Sequence, residues 1–132
     1  MRYRFEITDI AILHSHEAID PEMLDYLAKQ IAEDGVLIKP IIVDDNDFVI
    51  LDGHHRLEAL KKLGCTRIPV YLVDYMDGAI EVVTWPGAVV DEITKGEIIA
   101  MGLSDNVYPP KTSRHIVKVL LEDRPIPLSE LR

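Results

Sequence analysis

Cysteine is nearly absent. Cys65 stands alone in the chain, which excludes an internal disulfide and fits a reducing cytoplasm. Aromatic residues are scarce at 6%, against 48% hydrophobic residues overall, so the core of a folded domain has to be aliphatic. No apolar run approaches the roughly 20 residues that a membrane helix needs. The first residues also lack the basic-then-apolar order of a signal peptide. Positive charge is short too: 14 Lys and Arg face 23 Asp and Glu, for a net charge of −9. An acidic surface without a basic run is poorly suited to DNA, although a local positive pocket is compatible with it. There is no internal repeat and no low-complexity segment. The 132 residues suggest a single domain over 1–132.

What is present has a clear order. Tyr3 to Ile7 alternates as a strand does, and Ile10 to Leu13 is a second short apolar run. Asp20-Pro21-Glu22 is a helix start, with Asp20 as cap and Pro21 at the first helical position. Leu24, Leu27, Ala28 and Ile31 give that helix a buried stripe, Gly35 ends it, and it reads as scaffold. Ile41–Val43 and Phe48–Leu51 predict a hairpin across the polar turn Asp44–Asp47. Ile68–Val73 and Ile80–Thr84 predict another across Asp77-Gly78. A helix is expected over Asp91–Leu103, weakened by Gly96 and Gly102. Val117–Leu121 is a strand or short helix, and residues 122–132, with Pro125 and Pro127, read as a tail.

Three stretches carry chemistry. In the first, Asp52 follows an apolar strand and is expected to cap a helix bearing Leu57, Leu60 and Leu63 and closed by Gly64. Gly53, His54, His55 and Arg56 then occupy the first turn, where free amides and the helix dipole favour an anion, above all phosphate. Arg56 shares a face with Leu60 and so needs a carboxylate or an anionic ligand; an ordinary capped helix paired to a neighbouring acid fits as well. In the second, His14-Ser15-His16-Glu17 reads as a solvated loop or as a general base, Glu17, beyond a strand end. The two histidines lack a third metal ligand at helical spacing. In the third, Lys111, Thr112, Ser113, Arg114 and His115 follow Pro109-Pro110 and combine cations with hydroxyls, either as a solvated turn or as a phosphate-binding segment. Trp85, at a strand end, is a core edge or a pocket wall.

Together, His16-Glu17, Leu51-Asp52-Gly53-His54-His55-Arg56 and Pro109-Pro110-Lys111-Thr112-Ser113-Arg114-His115 resemble the ParB/sulfiredoxin superfamily. Within it they are most similar to the free serine kinases, over about Ile10 to His115. The resemblance implies an α+β fold: a compact ParB/sulfiredoxin-like domain whose small mixed sheet is flanked by helices. It implies phosphoryl transfer from ADP or ATP to the hydroxyl of L-serine, giving O-phosphoserine. Glu17 would be the base, Asp52 would work with Mg2+, and Gly53, His54, His55 and Arg56 would bind phosphate. Trp85 would wall the substrate pocket, and the segment Lys111 to His115, Ser113 and Arg114 included, would receive the product. Partners would be a nucleotide and a small hydroxy amino acid, in the cytoplasm, without membrane or DNA.

The chain departs from those kinases in one respect: only 25 residues separate Trp85 from Lys111, where the kinases carry a far longer segment. This leaves room for a non-catalytic nucleotide- or phospho-ligand-binding module, and for a weaker nuclease-like alternative. Sulfiredoxin chemistry is disfavoured, because His54 stands where its cysteine would be. A complete ParB is disfavoured by the absence of a following helix-turn-helix and by the charge.

Overall fold

In the computed structural model, which describes residues 1–132, the strand β5 (Arg67–Val73) lies inside a four-stranded sheet. β1 (Tyr3–Asp9) pairs with it antiparallel and β3 (Ile41–Asp44) parallel; β4 (Ile50–Asp52) closes the far edge, antiparallel to β3. Both sheet faces are covered, which is why β5 reads as an unbroken apolar run. Strand alternation sends Ile68, Val70 and Leu72 into one core and Tyr71 and Val73 into another. The first core is roofed by α1 (Pro21–Asp34) and α2 (His54–Lys62), the second by α3 (Lys95–Gly102) and β6 (Ile80–Thr84). The fold is α+β, as expected.

The start of α1 forms as its residues dictate. Asp20 Oδ1 accepts from the amides of Glu22 (2.9 Å) and Met23 (3.4 Å), and Gly35 takes the left-handed φ of 70° that ends the helix. The first predicted hairpin is present as β3–β4, but β4 begins later than Phe48. Phe48 has a φ of 56°, and Val49 bridges to His14, so the chain is still turning there.

The second predicted hairpin does not form. Both edges of β5 are occupied by β1 and β3, so β6 instead pairs antiparallel with β7 (Ser113–Val117) in a separate two-stranded sheet. The turn at Asp77 is real, with the Ala79 amide 2.8 Å from Asp77 Oδ1, but it steers the chain off the main sheet. α3 starts at Lys95 rather than Asp91, because Thr94 and Glu97 form a reciprocal capping box. Gly102 allows α3 to sit tight on the sheet: a Cβ there would lie 2.6 Å from Val49 Cγ1.

The segment from Glu122 is packed rather than free. β8 (Ile126–Pro127) pairs with β2 (Val36–Leu37), and Leu128 and Leu131 are buried in the α1–α2 core. The Leu131 carbonyl accepts from the amides of Thr66 and Arg67, so this end of the chain also holds the entrance to β5. No helix is long and apolar enough to cross a membrane.

Candidate active site

A cavity of about 590 Å3 opens where β4 gives way to α2. The junction depends on Gly53, which caps α2 with a φ of 111°. A Cβ at this position would lie 2.4 Å from Ile41 Cγ2, so neither the backbone angle nor the space admits another residue without strain. Asp52 is therefore not the cap that the sequence predicts. Its side chain makes no capping bond; it ends β4, stays 60% exposed and faces Arg56 Nη2 at 3.4 Å. The first intrahelical bond of α2 runs from the Leu57 amide to the Gly53 carbonyl, leaving the preceding amides at the cavity without helical partners.

Arg56 satisfies the need for a partner mostly with carbonyls. Its Nη1 donates to Lys39 O at 3.1 Å and Pro40 O at 3.0 Å, and Asp52 is the only carboxylate it hydrogen-bonds. It thus ties α2 to the approach of β3 while still lining the cavity. His54 and His55 have a similar double placement. His54 Nε2 accepts from the His16 amide at 3.2 Å, and His55 Nε2 accepts from the Asp20 amide at 2.9 Å. Both rings line the cavity, and their Nε2 atoms hold the 16–20 segment against the start of α2. Because Nε2 accepts, the proton of each neutral ring is on Nδ1.

Glu17 arrives by that same segment. The Ala18 amide donates to Tyr108 O and the Tyr108 amide to His16 O, both at 2.8 Å, so the backbone around Glu17 is clamped. Its Oε1 accepts from the amides of Thr112 (3.2 Å) and Ser113 (2.9 Å) and from the Ser113 hydroxyl (3.1 Å). Lys111, just before those amides, has a left-handed φ of 59°. Such strain in a residue that is not glycine persists only where surrounding contacts hold it.

The Lys111–His115 segment is divided in its roles. Lys111, Ser113, Arg114 and His115 line the cavity, whereas the Thr112 side chain is buried with its hydroxyl on Pro109 O at 2.7 Å. Thr112 offers its amide, not its side chain. His115 does not supply a cation: burial, then the neighbouring His16 and Lys95, push it down to about 3, against the Leu51 carbonyl that raises it. Its Nε2 lies 2.8 Å from the Tyr75 hydroxyl. Trp85 is a wall and not a core residue, 39% exposed, with the Arg114 guanidinium 5.0 Å from its ring centre.

Some of the site was not foreseen. His16 is 1% exposed rather than in a solvated loop, with Nδ1 2.7 Å from Ile50 O and Nε2 3.0 Å from Ser113 Oγ. Burial lowers it to about 4, opposed by the Ile50 carbonyl, and burial likewise lowers His54 well below the usual range. α1 is more than scaffold: Met23 and Leu27, one turn apart, give the cavity an apolar side. The available signal was their i, i+4 spacing at the start of the helix. No group of three or more His, Cys, Asp or Glu side chains is arranged to hold a metal by itself. Arg56, Lys111 and Arg114 face two carboxylates, Glu17 and Asp52, so the cavity is locally cationic on an acidic protein.

The chain is similar to known proteins in sequence and in fold. An ATP-dependent L-serine kinase of Staphylothermus marinus is 36% identical over 93 residues, covering 67% of this chain and 37% of the relative. One from Desulfurococcus mucosus is 30% identical over 125 residues, covering 89% of this chain and 49% of the relative. The chain thus spans less than half the length of either relative. A solved free serine kinase in complex with AMP superposes with a TM-score of 0.88 at 17% identity, over 97% of this chain and 93% of that one, which shows a shared fold. The model of the ParB N-terminal domain matches residues 5–84. With more than half of its length in that match, the chain belongs to the ParB N-terminal domain family.

Proposed function

We propose that this protein transfers a phosphoryl group from ADP or ATP to the hydroxyl of L-serine. The observation that carries the reading is the meeting of Glu17, the N-terminus of α2 and the Lys111–Arg114 segment around one cavity. Phosphoryl transfer asks mainly for positioning and for charge neutralisation, and this cavity offers both. The free amides after Gly53 suit the nucleotide phosphates, and Lys111 and Arg114 the oxygens of the phosphoryl group as it passes to the product. Glu17 Oε1 is occupied by three donors, so Oε2 is the oxygen left to take a proton. The serine oxygen would bond to the terminal phosphorus as the bond to the leaving phosphate breaks. Its proton would pass to Glu17, giving O-phosphoserine and AMP or ADP.

The donor set suits Mg2+ bound mainly through nucleotide phosphates, a mode that needs only one or two carboxylates. Asp52, exposed at the cavity and held from one side by Arg56, would hold the ion, which would neutralise phosphate charge. The relatives named as L-serine kinases support this acceptor, and the AMP-bound structure supports an adenine nucleotide.

A non-catalytic phospho-ligand module is the rival reading, favoured by the 25-residue connection between Trp85 and Lys111. Phosphorus NMR separates the two. Pure protein with Mg2+, ADP or ATP, and serine, threonine or homoserine in turn should give a new phosphomonoester only with the preferred amino acid. Nucleotide binding without any product would leave the module reading in its place.

A further inference from the structure

Glu17 and the buried His16 compete for one hydroxyl. Ser113 Oγ lies 3.1 Å from Glu17 Oε1 and 3.0 Å from His16 Nε2. The tautomer of His16 is set from its other side. Nδ1 is 2.7 Å from the Ile50 carbonyl oxygen, which can only accept, so Nδ1 carries the proton and Nε2 of the neutral ring accepts. A serine hydroxyl has a single proton to give.

Which acceptor wins depends on the charge of Glu17. As a carboxylate, Oε1 attracts the hydroxyl along with the Thr112 and Ser113 amides, and His16 Nε2 is left without a donor in a buried position. Leaving a buried acceptor unpaired is unfavourable. Once Glu17 has taken a proton on Oε2, Oε1 is a neutral oxygen and a weaker acceptor. The hydroxyl can then turn to Nε2 without any heavy atom moving. The two amides stay on Oε1 in both forms, and only the hydroxyl changes its partner.

We infer that Ser113 and His16 are positioning residues for Glu17: the Ser113 hydroxyl turns from the carboxylate to His16 Nε2 when Glu17 is protonated, so that the hydroxyl has a buried acceptor in either form of Glu17. This rests on the reading of Glu17 as the base and adds the device that positions it. His16 lies behind the cavity wall and acts only through Ser113.

Other charged groups also face Glu17. Lys111 and Arg114 come from the segment that carries Ser113, and Asp52 and Arg56 from the β4–α2 junction. The rings of His54, His55 and His115 line the same cavity, Glu58 lines a smaller recess shared with Glu17, and Tyr108 is bridged to the Glu17 backbone. Around His16 stand the His54 and His115 rings, with centres at 4.5 and 5.9 Å. All of them are retained in the variants below, so differences report the hydroxyl and its two acceptors.

The test is nitrogen-15 NMR of the His16 ring at about pH 7.5 in the full chain, without nucleotide or acceptor. Glu17→Gln keeps a neutral oxygen for the Thr112 and Ser113 amides, as the acid form does. The Ser113 hydroxyl should therefore turn to His16 Nε2 and move that resonance upfield, as hydrogen bonding to a bare ring nitrogen does. In the Ser113→Ala background, Glu17→Gln should leave the resonance where it is. A merely structural role would not produce a movement that vanishes when the hydroxyl is gone. An unmoved His16 Nε2 resonance in Glu17→Gln, or an equal movement in both backgrounds, overturns the inference. No turnover is measured, so a protein that transfers no phosphoryl group would refute the kinase reading and leave this result standing.

Discussion

The Ser113 amide donates to Glu17 Oε1 at 2.9 Å across 96 residues of sequence. That bond joins the loop after the first strand to the start of β7, and it places a carboxylate opposite the N-terminus of α2. Each half of the site is therefore held by the other.

The β4–α2 junction should tolerate no side chain at Gly53. Gly53→Ala combines a φ of 111° with a Cβ 2.4 Å from Ile41 Cγ2. The expected loss is about 2–4 kcal/mol of stability, read by urea denaturation. Nucleotide affinity should fall as well, since relief of the clash displaces the first turn of α2. Unchanged stability would mean that the junction is not built as described.

Trp85 is the only tryptophan, so its fluorescence reports on the cavity wall alone. A nucleotide entering beside Arg114 should change that emission, because the guanidinium rests on the ring at 5.0 Å. Arg114→Ala should weaken binding about tenfold, equivalent to roughly 1.4 kcal/mol, and reduce the fluorescence response. Arg114→Lys should recover charge but not stacking, and so only part of the loss.

Acid should destabilise the fold through its buried histidines, His16, His54 and His115. His16 is lowered to about 4 and His115 to about 3, both by burial, from an unfolded value of 6.5. The unfolded chain therefore takes up protons that the folded chain refuses. Stability is full above pH 6.5 and is lost as pH falls towards 4 and 3. For His16 alone the loss is on the order of 3 kcal/mol. Urea midpoints measured from pH 7.5 to 4.5 should fall steadily below pH 6.5; a flat profile would contradict the neutral, buried rings.

Local signals in the chain were legible where a few adjacent residues decide the outcome. Asp20-Pro21 starts α1 and Gly35 ends it because capping chemistry acts within one turn. The β4–α2 junction was legible for the same reason, although Gly53 and not Asp52 turned out to be its cap. The partner of β5 was not legible, because alternation reports which faces are buried and says nothing of which strand lies alongside. His16 was read as part of a solvated loop because its burial depends on Ile50 and Ser113, 34 and 97 residues away. Thr112 and His115 were grouped with the cations by position, and only packing separates an amide donor and a neutral ring from Lys111 and Arg114.

In the proposed reaction Glu17 takes a proton from an acceptor hydroxyl while the α2 N-terminus holds the donor and Lys111–Arg114 the oxygens of the phosphoryl group in transfer. Glu17→Gln is the direct probe, because the amide keeps an oxygen for the Thr112 and Ser113 amides and loses the base. Turnover of ADP or ATP with L-serine should be followed by phosphorus NMR beside nucleotide titration of the same sample. Turnover should fall at least about a hundredfold, with nucleotide affinity changed less than about threefold. Turnover by Glu17→Gln equal to that of the unaltered chain would contradict it.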